Sequence, residues 1–353
     1  MNINNLQASK GIISPSDTPT DEKNMPTPLK TGEVLRSRYK IRRIIGHGGM
    51  GSIYLADDLR LEGRQCALKE VEHDRTLPQE VVQQAREQFL REATVLARLD
   101  HPNLPKVSDF FSIGPRDYLA MDYVPGNDLR TLMMEARQKG VFLPEEQVLS
   151  WANQIADALS YLHNQTPPIL HRDIKPSNLK ATPSGLIKLV DFGLVKILAS
   201  EEMTITILQG RGTALYTPLE QYGGDTGHTD RRSDVYAFGA TLYHLLTNQP
   251  PIEARERFLH PENLTPPRQI NPEISVRTEK AILWSMNLHP DERPQDIDSF
   301  RQALIGNWIP PIYPSKKPQP PTLKMILSTT RERILLGVAA ALIVFSLIIT
   351  LAR

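Results

Sequence analysis

Three short stretches carry side chains whose chemistries fit one another. The first is Gly46-His47-Gly48-Gly49-Met50-Gly51, a GxGxxG spacing. Glycines so placed let backbone amides approach an anion, because no Cβ stands between. Alone, the spacing serves dinucleotide-binding turns and phosphate-covering loops equally well. The second stretch is Cys66-Ala67-Leu68-Lys69. A lysine among small and apolar residues is costly to bury unless paired. Glu92, in Phe89-Leu90-Arg91-Glu92-Ala93, is a candidate partner; a strand-edge lysine reaching water is the alternative. The third is His171-Arg172-Asp173-Ile174-Lys175-Pro176-Ser177-Asn178, followed thirteen residues past Asn178 by Asp191-Phe192-Gly193. Asp173 can accept a hydroxyl proton, and Asn178 and Asp191 are oxygen ligands suited to Mg2+. Lys175, two positions from that base, can neutralise a transferring phosphoryl group. Any one of these is credible as a turn residue; the set is not.

The elements around them must bring these stretches together. Tyr39–Ile45, Ser52–Ala56 and Gln65–Val71 are rich in β-branched and aromatic residues and read as strands. A dinucleotide turn needs a helix opening at its last glycine, whereas here a strand follows. Strand, glycine turn and strand make a flap that can lie over phosphates. Pro78–Arg98 reads as a helix, with Phe89, Leu90, Ala93, Leu96 and Ala97 on one stripe, followed by strands at Lys106–Ser112 and Tyr118–Tyr123. Five strands and one long helix form a first lobe. After Pro125-Gly126 the periodicity turns helical, over Asp128–Lys139, Glu145–Asn164, Ser233–Leu246, Glu279–Asn287 and Asp296–Leu304.

Composition narrows the class. The 353 residues hold 41 Lys+Arg and 40 Asp+Glu, for a net charge of +1, and 40% are apolar. These averages exclude a collagen-like, wholly disordered or polytopic membrane chain. Near-cancelling charges argue against nucleic acid as a partner. One cysteine, Cys66, excludes an internal disulfide framework.

Taken in order, the motifs resemble the eukaryotic-type protein kinase family, and the resemblance runs from about Tyr39 to Leu304. They are that family's known signature, so its properties enter as what the resemblance implies. It implies an α+β, two-lobed fold: a small β-rich N-lobe with one helix (about 39–124) and a larger, mostly helical C-lobe (about 125–305). It implies ATP and Mg2+ as cofactors and protein substrates. Gly46, His47, Gly48, Gly49 and Gly51 would cover the ATP phosphates. Lys69 would bind the α- and β-phosphates and pair with Glu92. Asp173 would be the catalytic base, assisted by Lys175, and Asn178 and Asp191 would hold Mg2+. Met121 would guard the back of the adenine pocket, Asp122 and Val124 would belong to the hinge, and Ile53, Ala67 and Leu179 would sandwich the ring. Lys175 and Thr213 favour the serine/threonine branch. Asp234 would brace the catalytic loop, and Arg293 would pair with Glu220. One departure stands out: Pro218-Leu219-Glu220 replaces the usual Ala-Pro-Glu, with Leu215 before Tyr216. Thr204 and Thr206 lie where phosphorylation could order the segment against Arg172. A membrane-tethered pseudokinase scaffold and a small-molecule phosphotransferase are the other readings; the presence of Lys69, Glu92, Asp173, Asn178 and Asp191 disfavours the scaffold.

The flanks suggest a different solvent. Residues 1–33 are rich in Ser, Thr, Asn and Pro and read as a disordered arm before a kinase domain at 34–305. A Pro-rich and basic linker spans 306–333, with six prolines between Ile309 and Pro321. Ile334–Ala352 holds nineteen residues without a charge, enough for a single transmembrane helix. Lys316, Lys317, Lys324, Arg331 and Arg333 precede it and only Arg353 follows, which places the kinase domain in the cytoplasm and favours anionic membrane lipid. Residues 1–315 hold 35 basic and 39 acidic side chains, so the positive charge is concentrated in this collar. Gly337 and Ala341 have a small-xxx-small spacing that would permit a homodimer.

Overall fold

The computed structural model describes residues 28–48, 51–73, 78–191, 211–222 and 229–306. The expected transmembrane helix at 334–352, the linker from residue 307 on, and Gly49, Phe192, Gly193, Thr204 and Thr206 lie outside the described residues. Among the described residues, no helix is long and apolar enough to cross a membrane.

The smaller lobe is one antiparallel sheet. Its strands are β1 (Val34–Leu35), β2 (Tyr39–Gly48), β3 (Gly51–Asp58), β4 (Gln65–Glu72), β5 (Val107–Ile113) and β6 (Arg116–Asp122), in spatial order β1-β2-β3-β4-β6-β5. Strand alternation sends successive side chains to opposite faces. Leu68 of β4 and Tyr118 and Ala120 of β6 therefore join an outer cluster with Tyr39, Ile41, Tyr54 and Phe111. Val71 and Leu119 point the other way, into the main core. Helix α1 (Gln79–Ala97) packs on that inner face through Phe89, Ala93 and Leu96, and Phe89 meets Phe110 of β5 with ring centroids 5.4 Å apart. Leu90, expected on the buried stripe, is 48% exposed. The buried stripe runs only through Phe89, Ala93 and Leu96, so it is narrower than the apolar residues alone suggest.

The chain is anchored to this sheet earlier than its composition suggests. Residues 28–33, expected within a disordered arm, lie along the outer face. Leu29 packs on the outer cluster, and its backbone N–H donates to the Tyr54 hydroxyl at 3.0 Å. Gly32 N–H donates to the Ile41 carbonyl, and Ile41 N–H to the Glu33 carbonyl, both at 2.8 Å. One apolar residue and three hydrogen bonds leave no periodic signal in the sequence. Beneath them Glu70 is buried, accepting from the hydroxyls of Tyr54 (2.8 Å) and Tyr118 (3.0 Å) and paired with Arg116 at 3.0 Å. This satisfies both carboxylate oxygens away from water.

A short three-stranded sheet opens the larger lobe: β7 (Asn127–Asp128), β8 (Leu179–Ala181) and β9 (Ile187–Leu189). The helices are α2 (Leu129–Gln138), α3 (Glu145–His163), α4 (Arg211–Ala214), α5 (Arg231–Thr247), α6 (Ala254–Leu259), α7 (Pro267–Ile270), α8 (Val276–Ser285) and α9 (Ile297–Ile305). Asp128, Asp230, Ser275 and Asp296 cap α2, α5, α8 and α9 through their side chains, which fixes those starts. Helix α5 is buried from Ser233 to Thr247, on every side, so it is the axis of the lobe. Its Gly239 lets α8 approach closely: a Cβ there would stand 1.8 Å from Ser285 Oγ and 2.9 Å from Ser285 Cβ. Gly239→Ala should therefore cost about 1–3 kcal/mol by overpacking and lower the thermal midpoint by several degrees. Ser285→Gly in the same background should restore part of the loss; an unchanged midpoint in Gly239→Ala would show that the helices separate freely.

Candidate active site

The segment expected to carry the catalytic residues hangs from one buried carboxylate. Asp234, in the first turn of α5, is 1% exposed. Its Oδ2 accepts from His163 Nε2 (2.8 Å) and from His171 N–H (2.9 Å), and its Oδ1 accepts from Arg172 N–H (2.8 Å). Burial pushes this carboxyl up, but the His163 hydrogen bond and the charges of His163 and His171 outweigh it and hold it below the usual range. The expected brace is present, and His163, at the end of α3, is a partner that the motifs do not reveal. Arg172 is held at φ +62, a left-handed conformation costly for a side chain of this size. Thr241, two turns along α5, donates its hydroxyl to the Ala237 carbonyl of its own helix at 2.8 Å and lies 3.3 Å from the Ile174 carbonyl.

From that scaffold the polar side chains converge. Asp173 Oδ2 accepts from Lys175 Nζ and from Asn178 Nδ2, both at 2.9 Å. Asn178 Nδ2 also donates to the Asp173 carbonyl at 2.8 Å. This turns the amide oxygen, the atom with metal-binding chemistry, away from Asp173. The Asn178 carbonyl accepts from Val190 N–H at 2.8 Å, which brings the residue next to Asp191 against Asn178. Asp191 itself has φ +60. Lys175 Nζ donates onward to Thr213 Oγ1 at 2.9 Å. A carboxylate, a cation and two metal-type oxygen ligands therefore sit within one network.

The smaller lobe contributes Lys69. Its Nζ is ion-paired with Asp191 Oδ1, across the two lobes. The expected pairing of Lys69 with Glu92 is not the one this structure makes. Glu92 Oε1 accepts instead from Gln88 Nε2 at 2.8 Å, one helical turn back, and Oε2 is buried without a hydrogen-bond partner among the described residues. Burial pushes the Glu92 carboxyl up, against the Gln88 hydrogen bond and the charges of Arg172, Arg91 and Lys69. The physical reason is competition: Asp191 presents its carboxylate to Lys69, while Gln88 satisfies half of Glu92 within its own helix.

The glycine flap is the β2–β3 hairpin, with Gly48 opposite Gly51. A Cβ on Gly51 would stand 2.2 Å from the Glu70 carbonyl oxygen, so the flap lies against β4 only because that Cβ is missing. Gly46 pairs with Ile53 and the exposed His47 with Ser52, whose Oγ is 3.3 Å from His47 Nδ1. On β4, Ala67 lies opposite Met121 of β6, and Ile53 of β3 lies opposite Lys69. Ala67 and Val124 are buried at 7% and 6% exposed, yet among the described residues they belong to neither hydrophobic core. Leu179 is fully buried at the head of β8, and Asp122 is held at the lobe junction by Arg64 at 3.4 Å.

Below the site, Arg293 and Glu220 form a bidentate pair at 2.7 and 3.0 Å, with Arg293 1% exposed. Ser233 Oγ donates to the same Glu220 Oε1 at 2.7 Å, and Arg293 also donates to the carbonyls of Arg232, Asn287 and Leu288. The shifted proline does not disturb the pair. Pro218 precedes a single 3-10 turn over Leu219–Gln221, which carries the glutamate inward.

A two-lobed scaffold with a glycine hairpin above and two carboxylates, a lysine and an amide below is the arrangement of a phosphoryl-transfer fold. A family model described as a protein kinase domain matches residues 39–309, and the chain belongs to that family. A probable serine/threonine-protein kinase of Clostridium acetobutylicum is 34% identical over 279 residues, 77% of this chain and 40% of that protein. The serine/threonine-protein kinase PknB of Mycobacterium tuberculosis is 32% identical over 298 residues, 81% of this chain and 46% of that protein. The chain thus matches less than half the length of these curated relatives. Among solved structures, the PknI kinase domain of Mycobacterium tuberculosis is similar with a TM-score of 0.58 and 28% identity, covering 78% of this chain and 98% of that one. The apo form of PpkA-294 gives 0.64 and 26%, covering 78% and 99%.

The buried pair carries a pH signature. Burial pushes the Glu220 carboxyl up, but the hydrogen bond and charge of Arg293, with Ser233, hold it below the ordinary value. A folded value below the unfolded one, about 4.3, means the stabilisation is complete above that pH and is lost as pH falls through the folded value. Glu220→Gln should cost about 3–5 kcal/mol near neutrality, because the buried guanidinium loses its counter-charge. The gap in thermal midpoint between wild type and variant should then narrow as pH falls below about 4. A gap that is constant with pH would show that the charge on Glu220 does not stabilise the fold.

Proposed function

We propose that this protein is a membrane-anchored serine/threonine protein kinase, transferring the γ-phosphoryl group of Mg-ATP to protein hydroxyls. The observation that carries this reading is the network joining Asp173, Lys175, Asn178 and Thr213, with Lys69 and Asp191 across the lobe junction. The kinase names of the relatives support it.

In this reading Asp173 orients the substrate hydroxyl and accepts its proton, while Lys175 offsets charge on the transferring group. Thr213 holds Lys175 in place and favours a serine or threonine substrate. Gly46, His47, Gly48, Gly49 and Gly51 cover the phosphates with backbone amides. Ile53, Ala67 and Leu179 offer apolar faces to the adenine, with Met121 behind it and Asp122 and Val124 at its edge. Asn178 and Asp191 hold Mg2+, which when bound neutralises phosphate charge. Lys69 leaves Asp191 for the phosphates and for Glu92, whose buried and unsatisfied Oε2 is an acceptor suited to it. Most of the rate acceleration comes from positioning and charge stabilisation.

The kinase domain faces the cytoplasm, held by the helix at 334–352 and by the basic collar against anionic lipid. Two such helices can pack through Gly337 and Ala341 as a homodimer. Autophosphorylation of Thr204 and Thr206 orders the segment against Arg172.

Two measurements test this function. Asp173→Asn should abolish autophosphorylation at Thr204 and Thr206, read by mass spectrometry after incubation with Mg-ATP, while nucleotide binding persists. Equal phosphorylation of wild type and variant would remove Asp173 as base, and an active wild type unmodified at both threonines would remove the regulatory part. The full chain should float with liposomes containing anionic lipid while residues 1–315 stay behind; co-flotation of the shorter chain would refute anchoring through the tail.

A further inference from the structure

One buried hydrogen bond in the larger lobe joins two side chains that no step above employs. The Tyr216 hydroxyl and His244 Nδ1 are 2.6 Å apart, and the two rings stack with centroids at 6.0 Å. Tyr216 is 7% exposed and His244 9%. Burial, with the charges of Arg130 and Arg137 on α2, pushes His244 down to about 4, so the imidazole is neutral at physiological pH. Burial likewise pushes Tyr216 up, so its hydroxyl keeps its proton. One neutral donor and one neutral acceptor are therefore matched in a site that excludes water.

The contact bears on the site through a tight turn. Tyr216 N–H and Thr217 Oγ1 both donate to the Thr213 carbonyl at 3.0 Å, and the Tyr222 hydroxyl donates to the Ala214 carbonyl at 3.0 Å. Fixing Tyr216 thus fixes Thr213, whose hydroxyl accepts from Lys175 beside Asp173. Helix α5 already holds the catalytic loop through Asp234 and meets it at Thr241. His244 lies three residues beyond Thr241, and at about 100° per residue all three fall within one sector of about 80°. One face of one helix thus supports the catalytic loop from below and the turn that meets it from the side.

We propose that His244 is a positioning residue for phosphoryl transfer, fixing through Tyr216 the turn that sets Thr213 against Lys175. The proposal rests on the kinase reading above, which phosphate transfer by the wild type, with Asp173→Asn as the inactive control, tests separately. The experiment uses the full chain, a serine- or threonine-containing peptide and Mg-ATP, with kcat expressed per nucleotide-binding site so that misfolded protein does not count. The variants are Tyr216→Phe, His244→Leu, the two combined, and His244→Asn, whose amide can take either hydrogen-bonding role. Each of the first two should lower kcat about ten-fold, equivalent to about 1.4 kcal/mol of barrier, with the KM for ATP unchanged. The combination should be no worse than either, and His244→Asn should recover most of the rate. Losses that multiply, a His244→Asn variant no better than His244→Leu, or a kcat per binding site equal to wild type would each overturn the proposal. If the wild type transfers no phosphate to the peptide, the kinase reading fails; if the wild type is active, Asp173→Asn inactive and His244→Leu normal, the positioning role alone fails.

Discussion

The site depends on the solvation of one carboxylate. Asp234 is buried away from bulk solvent, and it obtains its hydrogen bonds from a histidine side chain and from the two consecutive backbone amides of His171 and Arg172. Loss of those bonds would leave a buried anion uncompensated, a penalty of several kcal/mol, larger than the ordinary worth of any one contact. The loop is therefore held in a conformation it would not choose. Arg172 is left-handed there because the Asp234 oxygens require its N–H to point inward. The side chains of Asp173, Lys175 and Asn178 then fall into mutual contact.

The same logic of buried charge recurs farther from the chemistry. Arg293 is enclosed by Glu220, three carbonyls and the face of Tyr236, whose ring centroid is 4.9 Å from the guanidinium carbon. Glu70 is enclosed by two tyrosine hydroxyls and Arg116. In each case the charge ties segments distant in sequence: residue 220 to residue 293, and the backbone of residue 29 through Tyr54 to β4. Apolar packing alone gives cohesion but little discrimination between neighbouring registers. A charge that must find its partners provides that discrimination.

Much of this is legible in the sequence. The long helices and strands announce themselves by periodicity: the spacing places helices at Pro78–Arg98, Asp128–Lys139 and Glu145–Asn164, close to α1, α2 and α3, while α5 begins at Arg231, two residues before the expected Ser233, because Asp230 caps it. Short elements did not register: β1, α6 and α7 are two to six residues long and too brief for a period to develop. The motif residues were readable because their order is unusual, but their partners were not. Glu92 illustrates the limit. Spacing places it on the correct helix, whereas the engagement of Glu92 by Gln88 and of Lys69 by Asp191 depends on distances that sequence does not contain. His163 and His244 are single histidines on apolar helices, and nothing in their local sequence distinguishes a brace from a core residue.

Lys69 and Glu70 are neighbours on β4, with opposite charges on opposite faces of the sheet. One serves the cleft, and the other is sealed under the aromatic layer behind it. Because side chains alternate, a slip of β4 by a single residue would thrust an ammonium group among Tyr54 and Tyr118 and turn a carboxylate toward the cleft. Both errors are costly at once, and neither can be relieved by rotamer changes. The adjacent pair thus acts as a proofreading device for strand assembly: the protein checks the alignment of its smaller lobe with the same lysine that it presents to the cleft.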